Sequence, residues 1–595
     1  MKFAKYLLTL AFALCAFTII TNAQTVMLGG GSSALFQELG QAAYNTVNSP
    51  AGTGCLWTSA STTTNPPPVG ADYFAATDPR PGIPAGQTDE NGKIFFAWNQ
   101  NGGGSCSTPT INATFQLYVY MSMDSTLGDR CFFINDNAGK GPGCTFTAIL
   151  NGQVDVAAGQ ITTQNDVPAG IQLPTAITTL LAGAPYNGRF FVAGTDIRPE
   201  DALFATQRAL GPCNVLMQRQ FFNDVTYDLF GGGYGSATPN VGVAIAGDAS
   251  FGGGAFHVYG FNITGNDPIT GAPVPTAYTV NTIGAQPIVI AVGPTTDGAV
   301  ASMRDITAFT LSQFYAGNLG RTTDLLGVTV GEPMNFLVRE SLSGTYNTFE
   351  YGIPQSTQFH TGQETGNCNG SGTVLQNPMH LATAPGVFGG TVNRIRAIGT
   401  GNVVKFLNLA PNGNPTMGYW FWSAGNAKGL TVTKYLTVNG IDPLESQFTT
   451  PPAGCPTAYN GIIPGSGATG DPGLSCVTFD SLNAGDYPIW SALRLVNDSR
   501  GATAVGNLLT ALDSLTVLQN DYVKRNNMKI WHSHFQINGQ PPNAANGPSV
   551  GTTVLCAGGV AEGGGDVGGS TMLIVNNVNF CHDFSSTVGK LNLTF

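Results

Sequence analysis

Charge is scarce in this chain: Asp, Glu, Lys and Arg make up only 10% of its 595 residues. Basic residues number 24 against 35 acidic ones, a net charge of −11. A nucleic-acid partner, held through phosphate neutralisation, needs the opposite balance and is excluded. Histidine is scarcer still, six residues scattered along the sequence, and no CxxC pair occurs. The usual zinc spacings are therefore missing. His532 and His534 alternate in KIWHSHFQ as metal ligands can, but polar positions on an edge strand account for them better. Beyond the first 20 residues no apolar run approaches the ~20 residues that span a bilayer, so the mature chain is expected not to cross a membrane. Glycine and proline are plentiful instead, at 79 and 36. With so little charge, the surface must be built from Asn, Gln, Ser, Thr and backbone, as in loop-rich extracellular proteins. Hydrophobic residues at 42% and aromatics at 10% exceed what disorder allows.

Residues 1–23 carry Lys2 and Lys5, then an apolar stretch, then small residues before Gln24. This is the pattern of a cleavable signal peptide, and it predicts a periplasmic or extracellular protein. Without the leader the balance is 22 basic against 35 acidic, or −13. Ten cysteines remain after Cys15 leaves, an even number that favours disulfides in an exported chain. Their spacing suggests local staples, Cys131–Cys144, Cys455–Cys476 and Cys556–Cys581, each closing a short Gly-rich loop. Cys55 with Cys106 and Cys213 with Cys368 are then left over.

Strand-like runs alternate with short amphipathic helices. QTVML leads through a turn read as GGGSS into a helix from Ser33 to about Val47, with Leu35, Phe36, Leu39 and Ala43 on one stripe. RFFVAGT leads to Asp196 and to a predicted helix opening near Pro199, Glu200 and Asp201 and closing at Gly211. MNFLVRE leads to SLSGTYNTFEY, which stops at Gly352. Strands feeding helices through tight polar turns indicate an α/β fold with binding loops at the carboxyl ends of strands. Long Gly/Asn/Thr/Pro stretches at 50–115, 136–185, 225–280, 355–390 and 448–480 read as surface insertions.

Three of the turns carry chemistry. A helix N-terminus presents unpaired N–H groups and partial positive charge, and a hydroxyl there adds a donor. GGGSS alone is equally a plain helix cap, and without a following Gly-Lys-Ser/Thr it is no nucleotide-binding loop. RESLSGT is more specific: Arg339, always charged, precedes Ser343-Gly344-Thr345 by four residues, so a guanidinium and a helix N-terminus can converge on one tetrahedral oxyanion.

With these motifs the sequence resembles the phosphate-binding receptors of ABC transporters and the related secreted DING proteins. VRESLSGT is similar to the family's V-R-x-x-x-S-G-T, GGGSS to its first strand-to-helix turn, AGTD to its Ala-Ser-Asp turn, and MDSTLGDRCFFIND to the turn that supplies a lone serine. IGAQPIVIAV, ITAFTLSQFYAGNLGRTTDLLG, AIGTGNVVKFL and MGYWFWSAG resemble, in order, its hinge strand, lobe-two helix, glycine turn and closing strand. The resemblance implies a two-lobed type 2 periplasmic-binding-protein fold with a hinge, here with long insertions. Lobe one would combine residues 24–284 and 486–595, and lobe two residues 285–485. It also implies a phosphate site formed by Ser33, Ala34, Ser125, Asp196, Arg339, Ser343, Gly344 and Thr345. The family usually has an aromatic residue where Ala34 stands and often an acid where Ser341 stands.

The expected function is reversible binding of inorganic phosphate for uptake, with an ABC permease as partner, no cofactor and no enzymatic step. A cell-surface or matrix interaction protein that kept the fold is the alternative, motivated by the insertions and low charge. A phosphatase is disfavoured, since no His/Asp metal cluster is evident.

Overall fold

The computed structural model describes residues 24–58, 94–100, 104–123, 173–197, 278–316, 319–322, 334–339, 343–353, 379–381, 392–397, 399–409, 413–444, 452–456, 459–484, 486–515 and 520–525, with Ser125, Gly128, Asp129, Phe132 and short strands between 530 and 581. The leader, the predicted helix from Pro199 to Gly211, and Cys131, Cys144, Cys213 and Cys368 lie outside these residues. Among the described residues no helix is long and apolar enough to cross a membrane.

The fold is α/β, built on one mixed sheet of fourteen strands. β1 (Thr25–Ser32) runs parallel to both β4 (Gln116–Met123) and β5 (Val192–Thr195), so the loops after all three leave from the same edge. β2 (Gly54–Thr58) and β3 (Ile94–Asn99) extend the sheet antiparallel beyond β4. On the other side, β13 (Trp490–Asn497) pairs antiparallel with β5 and with β6 (Thr279–Val292).

β6 is the crossover. Residues 279–287 pair with β13, whereas residues 288–292 pair antiparallel with β11 (Thr416–Phe421) and residues 290–292 also with β12 (Lys434–Val438). The second half continues from β11 through the parallel strands β8 (Met334–Arg339), β10 (Val392–Ala397) and β9 (Met379–Leu381). β7 (Asp305–Ile306) lies parallel to β12, and β14 (Val523–Lys524) pairs with β6 at Gly284 and Ala285.

Each half has its own core. In the first, α1 (Phe36–Val47) places Phe36, Leu39, Ala43 and Val47 on one buried stripe, the helical spacing expected from the sequence. α6 (Ala502–Ser514) adds Val505, Leu508 and Leu512, and α2 (Thr175–Ala182) adds Ile177 and Leu181. In the second, the period of two along β6 feeds two separate clusters. Ile288, Ile290 and Val292 join one with α3 (Ala308–Ala316) and α4 (Gly344–Gly352), and Val289 and Ala291 join the other with α5 (Gly399–Leu409). A strand covered on both faces has no polar alternation, which is why PIVIAV is wholly apolar. Each large side chain so buried contributes about 1.5–3 kcal/mol relative to leaving it in water.

Four expectations differ from the structure. GGGSS is not a turn: β1 continues through Gly29–Gly31 to Ser32, paired residue for residue with Tyr120–Met123 and with Val192–Gly194. Backbones pack so closely there that a Cβ at Gly29 would lie 2.5 Å from the Val192 carbonyl oxygen, and Gly31, at φ 145°, adopts a conformation other residues rarely reach.

The stretch 50–115 is not a surface insertion where it is described, because Trp57, Phe95, Phe96 and Trp98 are core residues of β2 and β3. Its Cys55 is joined to Cys106. Likewise 136–185 contributes α2 to the core, and 448–480 contributes Ile463, Val477 and Phe479. In that last segment Cys455 is joined to Cys476, and Asp471 accepts the N–H groups of Gly465, Gly467 and Gly473 at 2.7–2.8 Å, closing the glycine loop from inside. Cys556 lies on a short strand paired antiparallel with Val560 and Ala561, and Cys581 ends a strand paired to Thr571–Val575; their side chains lie outside the described residues.

Candidate functional site

The carboxyl ends of β1, β4 and β5 in one half, and of β8 in the other, bring the predicted residues to the crossover of the sheet. After β1, Ser32 caps the first turn: its Oγ accepts the Ala34 N–H at 3.3 Å, and its carbonyl accepts the Tyr120 hydroxyl at 2.7 Å. The Ala34 amide is thus engaged within its own turn. Ser33 and Ala34 are half-buried, and Ala34 packs against a core cluster of each half, so this turn lies between the halves. Burial, with Asp196, Glu38 and Asp129 nearby, pushes the Tyr120 hydroxyl well above its ordinary pKa, so it remains a neutral donor.

Ser125 and Asp196 are buried together. The Ser125 hydroxyl donates to Asp196 Oδ1, and the Asp196 N–H points back at Ser125 Oγ at 3.5 Å. β13 supplies a further hold, because the Ser491 hydroxyl donates to the Asp196 carbonyl oxygen. The turn itself is closed by Thr195, whose Oγ1 lies 2.8 Å from the Ile197 carbonyl and 3.2 Å from Asp129 Oδ2. Ser491 was not foreseen, since it lies 295 residues from Asp196 and only the antiparallel register of β13 joins them.

On the other half, Arg339 ends β8 with 1% exposure, almost wholly withdrawn from water. Its Nη1 donates to Thr345 Oγ1 at 3.3 Å and to Thr400 Oγ1 at 3.2 Å, and its main-chain N–H is 3.4 Å from the Tyr419 hydroxyl oxygen. Ser343 caps α4, its Oγ accepting the Tyr346 N–H at 3.4 Å. The buried side of α4 seats Tyr346, Phe349 and Ile353 on the core, and the Phe349 ring stacks on Tyr419 with centroids 3.9 Å apart. That stack fixes where the helix N-terminus points.

The halves touch at the start of α4 as well. A Cβ on Gly344, the first residue of α4, would overlap the Asp196 carboxylate outright. The acid of the first half therefore lies directly against the N-terminus of α4, beside Ser343 and Thr345 and within the same turn that Arg339 anchors. The Ser125 hydroxyl donates to the Asp196 carboxyl group there, and the first turn of α4 lies against it. Gly344→Ala is expected to hold the halves apart by overpacking, a cost of about 1–3 kcal/mol on the seated arrangement. Any ligand that needs both halves should bind roughly 5- to 150-fold more weakly, with unchanged circular dichroism. Equal affinity in this variant would show that the contact is incidental.

Six of the eight predicted residues thus fall into two linked groups: Ser125 and Asp196 on one half, Arg339, Ser343, Gly344 and Thr345 on the other. The turn of Ser33 and Ala34 lies between the cores. A buried guanidinium, several hydroxyls and a helix N-terminus thus lie near the Asp196 carboxyl group. Among the described residues no group of three or more His, Cys, Asp or Glu side chains could hold a metal ion.

No protein-family model matches the chain, and no curated protein matches it. Solved structures similar to it include a phosphate-binding protein from Stenotrophomonas maltophilia, at 14% identity over 69% of this chain and 84% of that one, with a TM-score of 0.30. A human phosphate-binding apolipoprotein is similar at 14% identity, over 67% and 89% of the two chains, with a TM-score of 0.29. An ABC-type phosphate transport receptor from Vibrio cholerae is similar at 13% identity, over 42% and 73%, with a TM-score of 0.24. Likeness of this degree assigns no ligand to the chain, and the functional reading has to come from its own residues.

Proposed function

We propose that the protein binds inorganic phosphate reversibly between the two halves of its sheet, outside the cytoplasm, as a receptor rather than an enzyme. The observation that carries this reading is the meeting of Asp196 with the Gly344 end of α4, beside the buried, hydroxyl-anchored Arg339. A site made only of donors would accept any oxyanion. One that adds a carboxylate requires an anion that still carries a proton, and phosphate does so near neutral pH. In this reading Ser33, Ala34, Ser125, Asp196, Arg339, Ser343, Gly344 and Thr345 surround the anion, and the lobes are residues 24–284 with 486–595, and 285–485. Movement about the β6 crossover admits and releases it. The Cys55–Cys106 and Cys455–Cys476 disulfides support an oxidising compartment, hence export by the leader at 1–23. Delivery to an ABC permease is the setting this function implies.

Calorimetric titration of the mature protein with phosphate tests the reading. Saturable heat at one anion per chain, with a phosphate-dependent rise in melting temperature, is expected. Neither heat nor shift would leave the surface-interaction alternative in its place.

A further inference from the structure

Thr400 has no role in the site as read above, yet it touches the residue on which that site depends. It lies in the first turn of α5, 61 residues from Arg339, and is buried. The same guanidinium nitrogen, Nη1, that reaches Thr345 also reaches Thr400. An Arg side chain has four rotatable bonds and loses rotamer entropy when it is fixed, so holding its fork in one plane requires acceptors on rigid elements. The two threonines differ in this respect. Thr345 belongs to the anion-facing turn of α4 and would share its hydroxyl with a bound ligand. Thr400 is carried by a different helix, α5, which packs Val403 and Leu407 against the core beneath β8 and β11.

We propose that Thr400 is a positioning residue for Arg339: its hydroxyl oxygen accepts from Nη1 and fixes the guanidinium against α5, so that the fork keeps one orientation when an anion binds. Being neutral, this acceptor orients the cation without cancelling its charge. The proposal rests on the phosphate reading above.

The test compares Thr400→Val, Thr400→Ser and Arg339→Lys, with the double variant Arg339→Lys/Thr400→Val, in the mature protein titrated with inorganic phosphate. Thr400→Val, which keeps the shape and removes the acceptor, should weaken phosphate binding roughly tenfold and shrink the phosphate-induced rise in melting temperature. Its ligand-free melting temperature should fall modestly, by the loss of one hydrogen bond from a buried donor, and Thr400→Ser should restore it. Thr400→Ser should restore affinity to within about twofold, since it keeps the oxygen. In the Arg339→Lys background the valine change should have little further effect, because a point charge has no planar fork to orient. Thr400→Ala is read in parallel, so that poor folding of the valine variant leaves the comparison intact. If wild type binds phosphate and the valine and alanine variants bind it equally well, Thr400 is not a positioning residue although the phosphate reading stands. A drop in ligand-free stability that serine does not rescue, or full additivity with Arg339→Lys, likewise overturns the assignment. Absence of phosphate binding by wild type removes both readings together.

Discussion

Arg339→Ala is expected to abolish measurable phosphate binding while leaving the fold intact. The guanidinium is the buried cation of the site, bonded to threonine hydroxyls of α4 and α5, and its main-chain N–H faces the Tyr419 hydroxyl. Removing one side of a desolvated, charge-assisted pair costs about 2–5 kcal/mol, roughly 30- to several-thousand-fold in affinity. The loss exceeds that for a surface arginine because water cannot reach in to replace the donors. The fold should survive, since the aromatic packing of Phe349 on Tyr419 and on Tyr315 seats α4 independently of the charge. Arg339→Lys should recover only part of the affinity, because a compact ammonium cannot offer two parallel donors and still reach both threonines. Calorimetry with phosphate, alongside circular dichroism, checks both variants. Wild-type affinity in the alanine variant would remove Arg339 from the site.

The parts of the site that are local in sequence were legible, and the parts assembled by topology were not. RESLSGT could be read because a strand end, a charged fork and a helix cap follow one another within seven residues, and the structure has β8 ending at Arg339 and α4 beginning at Gly344. α1 could be read from its 3.6-residue apolar spacing. Thr400 and Ser491 could not, because their partners Arg339 and Asp196 lie 61 and 295 residues away and meet them only in the assembled fold.

The three glycines of β1 misled for a different reason. Glycine has poor intrinsic strand preference, so Gly29–Gly31 reads as a turn. Tertiary context overrides that preference, because β1 pairs with both β4 and β5 and a Cβ at Gly29 or Gly31 would run into the β5 backbone. β2 and β3 were hidden similarly. Each is a short apolar run within a long Gly/Thr/Pro/Asn stretch, so composition averaged over the stretch conceals the strand that matters.

In the proposed phosphate site the acceptor on the other half should set selectivity, and its effect should be the larger when two anions are compared. Asp196 is buried, receives the Ser125 hydroxyl and rests against the first residue of α4, next to the turn that carries Ser343 and Thr345. A carboxylate facing an anion is repulsive unless a proton lies between them. Phosphate can donate one, whereas sulfate is fully deprotonated and would leave two acceptors opposed without solvent. A buried polar group left unpaired in this way lets a site discriminate by ~10⁴-fold or more. Wild type should therefore bind phosphate and ignore sulfate, and arsenate, of similar shape and protonation, should compete. Asp196→Asn keeps the size of the side chain but supplies an amide that can turn its N–H toward the anion, so sulfate should gain affinity while phosphate changes much less. A purely structural Asp196, holding Ser125 and the end of α4 and nothing more, predicts a different pattern. Both anions would then weaken together, and stability would fall by about 1 kcal/mol with the lost hydrogen bond. Titrating wild type and Asp196→Asn with phosphate and sulfate at the same pH distinguishes the two, since only a carboxylate that reads the ligand's proton makes the ratio of the affinities collapse.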